Sequence, residues 1–177
     1  LGARRPRPHL WTESTRHMSA TASAMTDIAQ AFLATLNTDQ TSQAHWPFPS
    51  EDERQKWFYT PTDHGGLTLH TLTPEQTRLV MRLVDAGLSR PAYVTVSTIM
   101  GLENVLDQLE GWTAHWNFPR GRDPQRYFLR IFGEPGSSSW GWRIGGHIRM
   151  ELFLRQHPDF VLGRIELALL KFLQHRS

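Results

Sequence analysis

The 177-residue chain contains no cysteine. This absence excludes disulfide bonds, cysteine-ligated zinc, iron–sulfur clusters and thiol nucleophiles, and it is consistent with a reducing compartment. Long apolar runs are also absent. No stretch approaches the roughly 20 residues of a membrane-spanning helix, and the N-terminus lacks the apolar core of about 7 to 15 residues that a secretory signal needs. We therefore expect a cytoplasmic protein that has no membrane partner.

Motifs for metals, nucleotides and nucleophilic catalysis are missing as well. Neither a phosphate-binding loop nor G-x-G-x-x-G is present, and the histidines follow no ligand spacing of the H-E-x-x-H kind. Ser137-Ser138-Ser139-Trp140-Gly141 resembles the G-x-S-x-G elbow but has serine in place of its first glycine, so these serines are expected to be turn residues. The sequence predicts no metal site and leaves any cofactor unknown.

The basic charge of the chain is confined to its two ends. Residues 1–17 carry four arginines against one glutamate, and residues 148–177 carry five basic against three acidic groups. Residues 18–147 hold ten basic and thirteen acidic groups, so the part expected to fold is mildly acidic. Because nucleic-acid binding requires a basic surface on the folded domain, we predict no nucleic-acid partner.

The composition predicts one domain flanked by two dissimilar ends, because 39% apolar residues in 177 are enough for a single core. Residues 1–24 combine arginine with proline and are predicted to be a disordered basic leader, with Met18 or Met25 as the natural start. Residues 25–147 are predicted to be a single α+β domain. Residues 148–177 are rich in leucine and are predicted to be a helical tail.

Three longer helices are predicted before residue 113, together with a short helix that Thr38 or Asp39 caps and that runs through Ala44. The first runs from Thr26 to about Leu36, with Ile28, Phe32 and Leu36 on its buried stripe. The second has a strong start, Thr73-Pro74-Glu75-Gln76, and ends at Gly87. The third runs from about Arg90 to Trp112. Its predicted buried stripe is Ile99, Leu102, Leu106 and Leu109, and its predicted exposed acids are Glu103, Asp107 and Glu110.

Residues 127–147 are predicted to form an antiparallel hairpin, or a small sheet built on it, against which the helices pack. Apolar and other residues alternate with period two in both halves, from Tyr127 to Phe132 and from Trp140 to Gly145. Between them, Glu134-Pro135-Gly136-Ser137 suits a type II turn, because proline presets the negative φ and glycine accepts the positive φ.

The second hairpin strand carries the candidate functional residues. Arg143 is flanked on its own face by Gly141 and Gly145, so an anion has access to its guanidinium. We predict Arg143, Gly145 and Gly146 as ligand-binding residues, with Tyr127 and Trp142 as walls of the pocket, and His147 as a catalytic acid or base. The structural alternative is that Gly141 and Gly145 make room for a neighbouring aromatic ring while Arg143 pairs with a structural carboxylate.

Several phrases in a fixed order carry a resemblance to a known family. They are Trp57-Phe58-Tyr59-Thr60-Pro61, Gly66-Leu67, Leu88-Ser89, Tyr127 with Phe132-Gly133-Glu134-Pro135, and Trp140-Gly141-Trp142-Arg143 with Gly146-His147. Over about residues 26–147 the chain resembles the uncharacterised family called domain of unknown function 3500. The resemblance implies an α+β fold with helices first and an antiparallel sheet afterwards, and it implies no activity.

The resemblance ends where the family motif normally continues Gly-His-His into further β-structure. Here Ile148 replaces the second histidine. Residues 148–177 are therefore predicted to lie outside the family, as a frameshifted or foreign ending on a truncated domain.

Two functions remain open from the sequence. The first is the binding or turnover of a small anionic molecule at an Arg/His pocket on residues 140–147. The second is a non-catalytic interaction or structural domain, or a truncated inactive fragment, that self-associates through an unpaired sheet edge.

Overall fold

The protein is described by a computed structural model that covers residues 9–49, 52, 65–110, 122–146, 148–155 and 161–167, with the backbone alone at 9–19, 110, 148–155 and 161–167. Within these ranges it has four α-helices, one 3-10 turn and a six-stranded sheet, which confirms the α+β class. In chain order the elements are α1 (His9–Ala34), α2 (Thr38–Ala44), β1 (His45–Trp46), β2 (Leu67–Thr68), the 3-10 turn (Leu69–Thr71), α3 (Pro74–Gly87), α4 (Arg90–Glu110), β3 (Phe128–Phe132), β4 (Ser139–Gly145), β5 (Ile148–Arg155) and β6 (Val161–Leu167).

The sheet is mixed and is built around the predicted hairpin. Strands β3 to β6 are antiparallel neighbours in sequence order. The other edge of β3 is shared by β2, which is antiparallel to its start, and β1, which is parallel to its end. The predicted hairpin is confirmed, and the sheet extends beyond it on both sides.

The turn between β3 and β4 has the predicted type II features. The backbone N–H of Ser137 donates to the carbonyl of Glu134 at 2.9 Å, and Gly136 has a φ of 92°. Only glycine adopts this φ without strain. The turn also contacts α1, because the Gln30 side-chain amide donates to the Pro135 carbonyl at 2.9 Å.

Helix α3 begins with the predicted capping box. The Thr73 hydroxyl accepts from the backbone N–H of Gln76, and the Gln76 side chain accepts in return from the N–H of Thr73. The amide of Gln76 also donates to the carbonyl of Thr35 at 2.9 Å, next to the end of α1. The cap therefore fixes the start of α3 and joins it to the chain that follows α1.

One face of the sheet and the helices share a single apolar core. Its largest side chains are Trp140, Trp142, Tyr127, Phe32 and Met25, all buried. The predicted α1 stripe is confirmed at Ile28 and Phe32, while Leu36 is partly buried beyond the last helical residue. Further core residues on α3 are Val80, Leu83 and Val84.

The two predicted ends differ from the structure. Residues 9–24 belong to α1, so the predicted disordered leader is wrong over that range, and residues 1–8 lie outside the described residues. The predicted helical tail is also wrong, because Ile148–Arg155 and Val161–Leu167 are strands. A spacing of four residues, as between Val161 and Ile165, fits one face of a helix and one face of a strand equally well.

The orientation of α4 is the other correction. The residues it buries are Val96, Met100 and Glu103, whereas Leu102 and Leu109 from the predicted stripe are exposed. The helix is therefore rotated by about a quarter turn from the predicted orientation. Burial of Glu103 becomes acceptable because a buried tyrosine hydroxyl donates to it. Among the described residues, no helix is both long and apolar enough to cross a membrane.

Candidate functional site

Opposite the apolar core, the sheet has a second buried face that carries two arginines. We call it the arginine face, and it is formed by alternate residues of β3 and β4: Phe128, Arg130, Phe132, Gly141, Arg143 and Gly145. Because β3 and β4 are antiparallel and in register, Arg130 stands directly opposite Arg143. Both are at least 95% buried, with exposed fractions of 4% and 5%. Two arginine residues thus stand opposite each other on a sheet face that is buried from water.

The first arginine of this pair, Arg143, lies over an aromatic ring. Its guanidinium carbon is 5.3 Å from the centre of the Phe132 ring. Phe132 is the register partner of Gly141, the glycine two residues before Arg143. Because Gly141 has no side chain, the guanidinium of Arg143 on β4 reaches diagonally to the Phe132 ring on β3. This arrangement supports one part of the structural alternative, namely that Gly141 makes room for a neighbouring aromatic ring.

The second arginine, Arg130, holds the segment that leads into β2. Its Nε and Nη2 both donate to the carbonyl of Gly65, at 3.0 and 2.7 Å, and its guanidinium lies 4.5 Å from the centre of the Trp46 ring. Gly65 has a φ of 80°. A Cβ at Gly65 would lie 3.1 Å from the Trp46 ring and 3.2 Å from Arg130. Arginine, indole and glycine are therefore packed together at this edge of the arginine face.

The two glycines predicted to bind ligand have different surroundings. Within the described part of the chain, a Cβ built on Gly145 would have no atom within 4 Å, and Gly145 is only half-buried. A Cβ on Gly146 would instead lie 2.8 Å from the Tyr127 ring and 2.9 Å from the Arg126 carbonyl. No described atom thus lies against Gly145, next but one to Arg143 on β4, whereas Gly146 is required for close packing.

The predicted walls lie on the opposite side of the sheet from Arg143. Tyr127 and Trp142 belong to the apolar core and are fully buried there. The period of two already separates them from Arg143, because Trp142 and Arg143 are consecutive on one strand. The structure therefore does not bring them together with Arg143 in one pocket. The Trp142 indole Nε1 has no hydrogen-bond partner among the described atoms.

The structure also reveals a buried polar cluster that the sequence did not predict. The Tyr127 hydroxyl donates to Glu103 Oε1 at 3.0 Å, and both residues are at least 98% buried. The backbone N–H of Arg122 donates to Asp107 Oδ1 at 3.0 Å. The periodicity of α4 in sequence gave a misleading signal, since its leucines indicated a different buried face.

Charges of both signs meet in this cluster. Arg126 is buried close to Glu103, Asp123 and Arg122, and Arg122 is itself buried. Burial lowers the pKa of Arg126, the carboxylates of Asp123 and Glu103 act to raise it, and Arg122 acts to lower it. Arginine nevertheless remains charged at neutral pH. We interpret the cluster as a charge-balanced contact between α4 and the chain before β3.

Two further predictions concern His147 and metals. His147 lies outside the described residues, so its predicted catalytic role remains a prediction. Among the described residues, no group of three or more His, Asp or Glu side chains is arranged to hold a metal ion. The aromatic cluster at residues 57–61 also lies outside the described ranges.

The fold and the arginine face define an α+β domain with a mixed sheet that buries paired cations. Residues 18–159 match the family described as "Protein of unknown function (DUF3500)", and the chain belongs to that family. The match extends past both predicted ends and includes all of β5, so the predicted family boundary at residue 147 is corrected. No curated protein and no solved structure gave a significant match to the chain.

Proposed function

We propose that the protein binds a small anionic molecule in the open space beside Gly145, with Arg143 as the cation that holds it. The observation that carries the proposal is the combination of a buried guanidinium with an adjacent, half-buried glycine that has no described atom over it. A charge in a poorly solvated site attracts an anion far more strongly than the same charge in water. The planar fork of arginine also matches the oxygens of carboxylate and phosphate.

The neighbours of this space suit a small ligand. Phe128 is the register partner of Gly145 and is buried, so the space is bordered by an aromatic residue on one strand and by Arg143 on its own strand. Ligand sites commonly combine apolar walls with a few polar groups. The predicted role of His147 as an acid or base would extend binding to turnover, because imidazole titrates near neutral pH.

The test is to fill the space and measure binding of defined anions. We expect Gly145→Val to fold, because Gly145 lies in a strand, has no positive φ, and valine suits strands. Thermal unfolding is measured with inorganic phosphate, sulfate, acetate and malonate at constant ionic strength. We expect an anion to raise the Tm of the wild type, and Gly145→Val to abolish that rise.

Two variants serve as controls for this experiment. Gly101→Ala adds a methyl group at another glycine with no described atom within 4 Å, on α4, and should leave the anion-induced rise unchanged. Arg143→Gln should abolish it. A rise that persists in Gly145→Val would place binding elsewhere on the protein and contradict the proposal.

A second candidate function is self-association as a non-catalytic interaction domain. It is favoured by an exposed apolar stripe on α4, where Leu102, Val105 and Leu109 follow the three-and-four spacing of paired helices and have exposed fractions of 44%, 47% and 77%. The predicted route through a sheet edge would use β6, which ends the sheet order among the described strands. The occupant we propose for the stripe is α4 of a second copy of this chain.

Light scattering as a function of concentration tests self-association. Leu102→Lys combined with Leu109→Lys should shift a dimer towards monomer, whereas Gln108→Lys, at an exposed position of the same helix, should have a much smaller effect. A wild-type protein that stays monomeric at high concentration would refute this candidate.

A further inference from the structure

We infer that α4 pairs with α4 of a second copy of this chain in antiparallel orientation, about a two-fold axis at the level of Met100. This inference rests on the second candidate function, self-association, and specifies how the two copies meet. It derives from the charge, the spacing and the side-chain sizes along the exposed face of α4.

The exposed face of α4 carries the apolar surface that a second copy would cover. The large apolar side chains exposed in the described part of the chain all lie on this helix, and they are Val94, Leu102, Val105 and Leu109. Apolar residues scattered singly over a surface are ordinary, but their concentration on one helix face marks an interaction surface.

The same face has no charged residue from position 91 to position 109. Its exposed positions are Pro91, Val94, Thr95, Thr98, Gly101, Leu102, Asn104, Val105, Gln108 and Leu109. The charged residues in this range are Glu103, which is buried, and Asp107, which is half-buried. The exposed positions of α3, by contrast, include Glu75, Arg82 and Asp85. A face without charge meets its own copy without like-charge repulsion, so it suits a second copy as its partner.

The spacing of the exposed face is symmetric about residue 100. Six exposed positions separated by four, three, four, three and four residues form what we call the contact row: Pro91, Thr95, Thr98, Leu102, Val105 and Leu109. Reversal about residue 100 maps this row onto itself. The facing pairs are then Pro91 with Leu109, Thr95 with Val105, and Thr98 with Leu102. A two-fold interface requires this property, because it uses the same patch on both copies.

The order of side chains along the contact row selects the antiparallel orientation. The row is aliphatic after residue 100, whereas the three members before it are a proline and two threonines. Antiparallel pairing places each aliphatic side chain against a smaller or more polar one, so the contact is even along both helices. Parallel pairing would place Leu109 against Leu109 and Pro91 against Pro91, which leaves the beginning of the pair poorly packed.

The two threonines of the contact row can be buried at little cost. The Thr95 hydroxyl donates to the carbonyl of Pro91 at 3.0 Å, and the Thr98 hydroxyl donates to the carbonyl of Val94 at 2.8 Å. Since both hydroxyls already donate within their own helix, covering them leaves neither donor unsatisfied.

The charged start of α4 also favours the antiparallel orientation. Arg90 begins the helix and is exposed. In an antiparallel pair it lies at the level of the last residue of the other α4, where the helix dipole favours a cation. In a parallel pair the two copies of Arg90 would lie side by side and repel each other.

Because the chain has no cysteine, disulfide crosslinking between introduced cysteines tests the orientation. Full-length Thr95→Cys is mixed with Val105→Cys, one of them isotopically labelled, and oxidised at a concentration at which light scattering shows dimers. Mass spectrometry then identifies which chains are joined. Both substitutions are at exposed positions, so both variants should fold.

The mixed disulfide is the expected product. Facing residues of the contact row can approach within the roughly 7 Å between Cα atoms that a disulfide allows. Two copies of Val105 would be about 15 Å apart along the helix axis, and so would two copies of Thr95. We therefore expect the mixed disulfide to form about tenfold faster than either homodimeric disulfide. Arg82→Cys, at an exposed position of α3, is the matched control and should give no mixed disulfide with Thr95→Cys beyond random collision.

The outcomes separate this inference from self-association itself. Rapid formation of the two homodimeric disulfides, with little mixed product, would show a parallel pair and overturn the inference while keeping self-association through α4. Dimers that form none of these disulfides would place the interface elsewhere on the protein and also overturn it. A protein that stays monomeric at high concentration would overturn both.

Discussion

The hydrogen bond between Tyr127 and Glu103 shows how individual residues allow this domain to bury charge. A carboxylate that is almost completely buried costs free energy unless hydrogen bonds compensate for the lost water. The Tyr127 hydroxyl provides one such bond, from the residue just before β3 to Glu103 in the C-terminal half of α4. The orientation of α4 therefore depends on a polar contact as well as on its apolar residues.

Tyr127→Phe should destabilise the protein by about 1.5 to 3 kcal/mol, because it removes a hydrogen bond to a buried carboxylate and leaves the ring in place. The measurement is urea unfolding at pH 7. Tyr93→Phe is the matched control, since Tyr93 is partly buried on the same helix and packs against the core. Its effect should stay below about 0.5 kcal/mol. Equal losses in the two variants would argue against a role for the Tyr127 hydroxyl.

Some of these residue contacts could not be predicted from the sequence. Arg143 was predicted as an anion site because its glycine neighbours are close in sequence. Arg130 was not, because Gly65 and Trp46 come from distant segments and only the fold brings them to it. Glu103 was predicted to be exposed, since nothing near it in sequence indicates that Tyr127, just before β3, becomes its partner.

Among the elements, α3 is joined to the sheet by close contact at its last residue. A Cβ built on Gly87 would lie 2.6 Å from Cζ2 of Trp142, whose side chain is fully buried and has little freedom to move. On α4, Gly101 has no described atom within 4 Å of such a Cβ. The two helical glycines therefore differ in surroundings.

The same substitution at these two glycines should have opposite effects. Gly87→Ala forces an overlap with Trp142 and should destabilise the protein by about 1 to 3 kcal/mol. Gly101→Ala should stabilise it by up to about 1 kcal/mol, because alanine favours a helix interior more than glycine does. Thermal and urea unfolding of both variants would check the signs. Stabilisation by Gly87→Ala would show that the end of α3 does not pack tightly on Trp142.

Elements with strong local signals were predictable, and elements with ambiguous periods were not. The Thr73 cap and the Gly136 turn depend on residues close together in sequence, so both could be predicted. The structure confirms both. Strands β5 and β6 were predicted as helices, because several apolar residues in 148–167 lie four apart. Their identity as strands depends on pairing with β4, which is a property of the tertiary structure.

For the whole molecule, β5 and β6 complete the sheet. Strand β5 pairs with the entire length of β4, from Ser139 to Gly145, and β6 pairs with β5. The family match also includes β5. The sheet that carries the arginine face therefore extends past residue 147.

Shortening the chain should show the contribution of these strands. A chain ending at Gly146 exposes the whole edge of β4 and should lose cooperative unfolding and aggregate. A chain ending at Leu167 keeps every described pairing and should unfold cooperatively. Circular dichroism during heating, together with light scattering, distinguishes the two outcomes. Cooperative unfolding of the chain that ends at Gly146 would show that β1 to β4 and the helices are sufficient for folding.

The parallel pairing of β1 with β3 has a consequence for biosynthesis. His45 pairs with Ile131, so α1 to α4 all leave the ribosome before this contact is available. Contacts between distant segments form slowly, because a long loop must close first. During translation the helices therefore present their apolar sides without the strands that later cover them. Nascent chains of this protein should depend on chaperones until β3 and β4 have emerged.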